Sequence, residues 1–176
     1  MENQQLKLII EAALFSHGEP LPFADLLRLF DEADAVSASQ LRDVLIELEH
    51  DYQVHGVELV EVASGFRFQT RAELSSWMQK LAHERPPRYS RALLETLALI
   101  AYRQPITRAE IEAVRGVAVN TLTIKTLLER HWVQVAGHRD VPGKPAVYVT
   151  TRQFLDYFNL SNLSDLVELG DPMDIV

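Results

Sequence analysis

The sequence predicts an α+β chain, mainly helical with small β-hairpins, in which one unit of three helices and a hairpin is used twice. Two observations carry this. The hydrophobic period switches from helical to alternating twice along the 176 residues, and the prolines Pro86-Pro87 stand between the two runs. A third supports it: Pro20-Leu21-Pro22-Phe23-Ala24-Asp25-Leu26 lies over Pro105-Ile106-Thr107-Arg108-Ala109-Glu110-Ile111 at a constant offset of 85. With one gap, Ile9-Ile10-Glu11 lies over Leu93-Leu94-Glu95.

In the first run, Leu6, Ile9, Ile10, Ala13 and Leu14 share one helical face. That helix is expected to end at Ser16-His17-Gly18-Glu19-Pro20, with Gly18 as a left-handed cap. A second helix is predicted from about Phe23 to Phe30, turning Leu26, Leu27 and Phe30 inward. Ser37-Ala38-Ser39-Gln40 reads as a capping box for a third, with Leu41, Leu45, Leu48 and Tyr52 on one face. The period then changes: Val57 to Val62 and Phe66 to Thr70 are strands around an Ala63-Ser64-Gly65 turn. A fourth helix, about Ala72 to His83, places Leu74, Trp77, Met78 and Leu81 at helical spacing, as core or interface.

The stretch Glu84-Arg85-Pro86-Pro87-Arg88-Tyr89 is a short stiff linker, and the pattern restarts after it. Ser90 caps a helix with the stripe Leu94, Leu97, Ala98, Ala101 and Tyr102. Leu93, Leu99 and Ile100 make it apolar nearly all round, so burial on several sides is expected. Thr107-Arg108-Ala109-Glu110 is a second capping box, for a short helix through Ile111 and Val114 that stops at Gly116. Asn120 caps the next, which holds Leu122, Ile124, Leu127 and Leu128. Trp132 to Val135 and Ala146 to Thr150 are strands, and a closing helix runs from about Thr151 to Phe158. Three helices and then a hairpin is the order of a winged helix. The expected organisation is therefore two tandem winged-helix domains, 1–85 and 86–160, followed by a flexible acidic tail, 161–176.

Composition narrows the function. There is no cysteine, which removes disulfides, thiolate metal sites and cysteine nucleophiles together. No stretch approaches the roughly 18 uninterrupted apolar residues of a membrane span, and Met1-Glu2-Asn3-Gln4-Gln5 lacks the basic start of a signal peptide. A cytoplasmic protein without membrane association is expected. Charge is uneven: Lys+Arg against Asp+Glu is 7 to 15 over residues 1–85, 10 to 6 over 86–160, and 0 to 4 over 161–176. The first half repels a phosphate backbone; the second tolerates one.

Catalytic chemistry needs convergent, tunable groups, and the sequence offers none. The six histidines form no metal-ligand spacing, so no metal and no cofactor is expected. His138-Arg139-Asp140 reads as an exposed hairpin tip. The stretch Gly137 to Pro145 has a lysine after a glycine, but it precedes a strand and lacks the phosphate-loop pattern. No enzyme is expected. As a DNA reader, the third helix of the first domain fails, because Arg42 stands among Asp43, Glu47, Glu49 and Asp51. In the second domain Lys125 and Arg130, with Arg139 and Lys144 on the wing, allow at most weak and non-specific DNA contact, with no base-reading array. What remains is surplus apolar surface, which suggests protein interfaces. The alternative is a winged-helix DNA-binding transcription regulator.

The run Leu94-Glu95-Thr96-Leu97-Ala98-Leu99-Ile100-Ala101-Tyr102-Arg103-Gln104-Pro105-Ile106-Thr107-Arg108-Ala109-Glu110-Ile111 resembles the signature of the bacterial segregation and condensation protein B family. So do Arg115-Gly116-Val117, Thr126-Leu127-Leu128-Glu129-Arg130, the stretch Gly137 to Pro145, Tyr148-Val149-Thr150-Thr151 and Phe154-Leu155-Asp156-Tyr157-Phe158. His131-Trp132 departs from a Gly-Leu-like pair usual in that family, and Asn120-Thr121-Leu122-Thr123 differs as well. The resemblance implies a non-catalytic homodimer, joined largely through its N-terminal domain. It would bind the kleisin subunit, segregation and condensation protein A, and through it the ATPase of an SMC complex that condenses and partitions the chromosome. The anchors expected for a kleisin segment are Leu97, Ile100, Trp132, Tyr148, Phe154, Tyr157 and Phe158.

Overall fold

Side chains that answer the first amides of a helix decide where most of these helices begin. Ser37 accepts from the Gln40 amide while the Gln40 side chain returns to the Ser37 amide, and Thr107 and Glu110 form the same reciprocal pair. Ser90, Asn120 and Thr151 each accept from an amide two or three residues on. The computed structural model describes residues 1–81 and 88–167, and the chain divides into two compact units, Met1–Pro86 and Pro87–Val176. The expected linker over 84–87 and the end of the predicted fourth helix lie outside the described residues, as does the tail from 168.

The first unit contains α1 (Asn3–Ser16), α2 (Phe23–Leu27), α3 (Ala38–Asp51), the hairpin β1 (Val57–Val62) and β2 (Gly65–Thr70), and α4 (Ser75–Leu81). Its core joins Leu6, Ile10 and Leu14 of α1 to Leu26, to Leu41, Val44, Leu45 and Leu48 of α3, and to Leu59 of β1. α1 ends without the expected glycine cap: His17, in extended conformation, closes it by donating to the Ala13 carbonyl, and the proline at 20 prevents resumption. α2 is one turn shorter than predicted, because the Leu29 and Phe30 amides take i−3 bonds to Leu26 and Leu27. The hairpin pairs Val62 with Gly65, so the turn is Ala63-Ser64 and the glycine belongs to the strand.

In the second unit α5 (Arg91–Arg103), α6 (Arg108–Arg115) and α7 (Thr121–Glu129) precede the wing, β4 (Val133–His138) and β5 (Ala146–Thr150), with α8 (Arg152–Tyr157) behind. A two-residue strand, β3 (Ile106–Thr107), pairs with β5 and completes the order β3-β5-β4. The buried face of α5 is Leu93, Thr96, Leu97, Ile100 and Ala101, whereas Leu94 and Ala98 are exposed. The expected stripe is thus rotated and one side of the helix is open. Gly116 closes α6 at φ 69°, the left-handed cap its position predicts.

The repeat seen in sequence is also a repeat in pairing. Leu21 makes an isolated bridge to Phe66, and Ile106, its counterpart 85 residues on, pairs with Tyr148. Both residues stand just before a helix and both meet the second strand of a hairpin. Two tandem winged helices, each a helical trio with a small antiparallel sheet, are the fold.

Candidate partner-binding surface

All seven residues expected to contact a partner gather in the second unit, but they divide by depth. Leu97, Ile100, Trp132 and Phe154 are core side chains, none more than 4% exposed. They offer no surface and are corrected from contacts to supports: each sits on the inward stripe of its element, where the apolar interior is filled. Tyr148 is half-buried against that core. Only Tyr157 and Phe158 open outward, at 52% and 39% exposure.

Their placement follows from the end of α8. Thr151 caps the helix through the Phe154 amide, and its hydroxyl also donates to the His131 carbonyl, tying the helix to the residue before Trp132. The helix stops at Tyr157; Asn159 is left-handed at φ 55°, and Leu160 returns its amide to the Leu155 carbonyl. Tyr157 and Phe158 therefore lie over the Trp132 ring, with centroids at 4.6 and 5.5 Å, and Phe158 meets Phe154 at 5.0 Å. Tyr89 closes the other side at 5.1 Å from Trp132. Tyr89 falls in the stretch read as a linker, and its signal in the sequence is an aromatic directly before the Ser90 helix cap.

Arg130 lies over both Tyr89 and Trp132, at 4.7 and 5.4 Å. Burial, and then hydrogen bonding with Tyr157, hold the Tyr89 phenol above its usual range, while Arg130 pulls the other way. The result is an aromatic ledge with a buried tryptophan base and an exposed tyrosine-phenylalanine edge. Leu160 and Leu166 pack alongside, Asp165 caps the turn at Ser161-Asn162, and the Tyr102 hydroxyl donates to the Val167 carbonyl at 2.8 Å. Residues 161–167, expected in the flexible tail, are thus folded back onto the second unit.

The cations expected to touch DNA are mostly engaged. Lys125 pairs with Glu129 at 3.5 Å on the same helix face, and Arg130 is committed to the aromatic rings. Arg139 donates to the Pro105 carbonyl and the Glu110 carboxylate. Lys144 stands at the wing tip at φ 38°. The outer face of α7 shows Thr121, Leu122, Lys125 and Glu129, which gives a base edge little to bind.

The first unit exposes apolar side chains too. On α4, Trp77 is 60% and Leu81 73% exposed, with Met78 beside them, and Lys80 lies 4.1 Å over the Trp77 ring. No helix among the described residues is long and apolar enough to cross a membrane.

Fold and surface together define a tandem winged-helix protein that exposes an aromatic edge at the end of α8 and an apolar one on α4. The family model for segregation and condensation complex subunit ScpB matches residues 8–169, and the chain belongs to that family. It is 57% identical over 175 residues to a segregation and condensation protein B homolog of Coxiella burnetii, covering 99% of this chain and 84% of that one. It is 44% identical to segregation and condensation protein B of Syntrophotalea carbinolica, over 97% and 85% of the two chains. Among solved structures, a dimer of the ScpB N-terminal domain complexed with ScpA peptide is 30% identical, covering 46% of this chain and 92% of that one, with a TM-score of 0.39.

Proposed function

We propose that this chain is a non-catalytic accessory subunit that binds, as a homodimer, the kleisin of a bacterial SMC complex in chromosome condensation and segregation. The observation that carries the reading is the aromatic ledge of Tyr157 and Phe158 over buried Trp132, in a chain of this family. An extended kleisin segment orders as it lays apolar side chains on the ledge and the half-buried Tyr148. Ordering that segment costs part of the binding energy, so several anchors are required, and a preformed ledge keeps the cost to one partner. Residues 1–85 form the dimer, with Trp77, Met78 and Leu81 of α4 as the face offered to the second copy. The protein works in the cytoplasm and reaches the nucleoid through the complex.

The test is calorimetric titration of purified kleisin into variants first shown to be folded by circular dichroism. Phe158 touches three rings, so Phe158→Asp lowers the melting temperature as well as binding; Tyr157→Ser, at a half-exposed position, is the cleaner variant. Each is expected to weaken kleisin at least about tenfold, equivalent to about 1.4 kcal/mol, while Lys125→Glu on α7 leaves it unchanged. Wild-type affinity in both ledge variants would remove the ledge from the interface. A transcription regulator predicts tight binding to one DNA sequence over random DNA, and the outer face of α7 disfavours it.

A further inference from the structure

We propose that the wing tip of the second unit is a contact for the sugar-phosphate backbone of duplex DNA, made by Lys144 and His138 beside a braced Arg139, with no base reading. The tip is preshaped. Val141-Pro142-Gly143-Lys144 is a tight turn closed by the Lys144 amide on the Val141 carbonyl at 2.9 Å, with Gly143 at φ 85°. Proline second and a positive-φ glycine third is the type II pattern, which needs no ligand to form. Arg139 extends the ladder by donating its amide to the Pro145 carbonyl at 2.9 Å. Its guanidinium reaches the Pro105 carbonyl at 3.2 Å and Glu110 at 3.4 Å, fastening the wing to the start of α6.

Between the two limbs, His138, Arg139, Asp140 and Lys144 line an open notch of about 530 Å³. An ammonium, a guanidinium and an imidazole face one carboxylate there. Such a lining suits a phosphodiester oxygen, which accepts from Lys144 and His138 while staying hydrated, with Arg139 held on Pro105 and Glu110 beside them. A long polyanion gains further from its surroundings, because residues 86–160 carry 10 Lys+Arg against 6 Asp+Glu. Helix α7 does not join in, since Lys125 is paired with Glu129 and Arg130 is held on the rings. Contact without the reader helix is contact with the backbone alone. The inference stands apart from the kleisin reading, and its test contains no kleisin.

The experiment is fluorescence anisotropy of the full chain with a labelled duplex of about 30 base pairs and arbitrary sequence, over about 25 to 200 mM salt. Wild type binds weakly at the lowest salt and loses affinity steeply as salt rises. Lys144→Glu lowers low-salt affinity about tenfold and flattens the logarithmic salt slope by about one. Asp140→Asn, which removes the carboxylate from the notch, tightens binding about threefold. Lys125→Glu changes affinity less than twofold or so, marking α7 as a bystander. Lys144, Asp140 and Lys125 are exposed, so all three variants keep the wild-type melting curve. The proposal is overturned by no binding at the lowest salt, by Lys144→Glu binding like wild type, by Asp140→Asn binding no tighter, or by Lys125→Glu doing equal harm. It is also overturned if an acidic peptide of matched charge binds the tip and the duplex does not.

Discussion

The Cα of Gly65 lies so close to the backbone of Leu21 that a Cβ built on it would stand 2.1 Å from the Leu21 carbonyl oxygen. Leu21 cannot withdraw, because its amide and carbonyl are both bonded to Phe66, at 2.8 and 2.9 Å. Gly65 also sits at φ 137°, a region that side chains rarely enter.

Gly65→Ala is therefore expected to cost about 3 kcal/mol or more in unfolding free energy, since strain and overlap act at one point. Gly18→Ala is the control: nothing lies within 4 Å of its added Cβ, and a change within about 0.5 kcal/mol is expected. Urea denaturation of both variants decides it. Equal, small effects would mean that the Leu21 bridge is loose.

The same contact shows where sequence reading worked and where it stopped. Capping boxes at Ser37 and Thr107 are local and were readable, because donor and acceptor lie three residues apart. The repeat was readable as an offset, yet its meaning in pairing, Leu21 to Phe66 and Ile106 to Tyr148, joins positions over 40 residues apart. On α5, apolarity nearly all round hid the buried side, and only packing shows Leu93 inward and Leu94 outward. The anchor residues were picked for being large and apolar. Trp132, Phe154, Tyr157 and Phe158 are neighbours in the fold, but size and apolarity do not separate the two inside from the two at the edge.

Thr107 combines a reciprocal cap with burial, at 3% exposure. Its hydroxyl accepts from the Glu110 amide at 3.3 Å, and its own amide donates to Glu110 at 2.6 Å. Thr107→Ala should cost about 1 to 2 kcal/mol, the upper part of the range for lost N-caps. Thr107→Ser keeps the cap and should recover most of it. If serine is as damaging as alanine, β-strand packing by the threonine methyl, not capping, is the cause.

Glu110 and Glu112 make the second unit acid-sensitive. Glu110 is held below the usual carboxylate range chiefly by the Thr107 amide, and Glu112 by the Val119 amide and then Arg108. For a carboxylate whose folded pKa is lowered, the stabilisation is complete above its unfolded value and fades as pH falls through the folded one. Melting temperature should therefore drop as pH falls below about 5, and a Glu110→Gln/Glu112→Gln double variant should drop less steeply. Parallel profiles for wild type and double variant would contradict the assignment. Protonated Glu110 also releases Arg139, so the wing should loosen over the same pH window.

The two tryptophans test the proposed dimer face directly. Trp132 is 2% exposed and Trp77 is 60% exposed, so each reports a different unit and environment. In Trp132→Phe, the remaining Trp77 should emit at long wavelength and be quenched by iodide when the protein is dilute. As concentration rises through dimer formation, followed by light scattering, its emission should shift to shorter wavelength and the quenching should fall, because α4 becomes covered. Trp77→Phe should show short-wavelength, iodide-resistant emission at every concentration, since Trp132 lies within one subunit's core. A dimer by light scattering in which Trp77 stays red and quenchable would place the interface elsewhere on the first unit. The apolar side chains of α4 would then need a different partner.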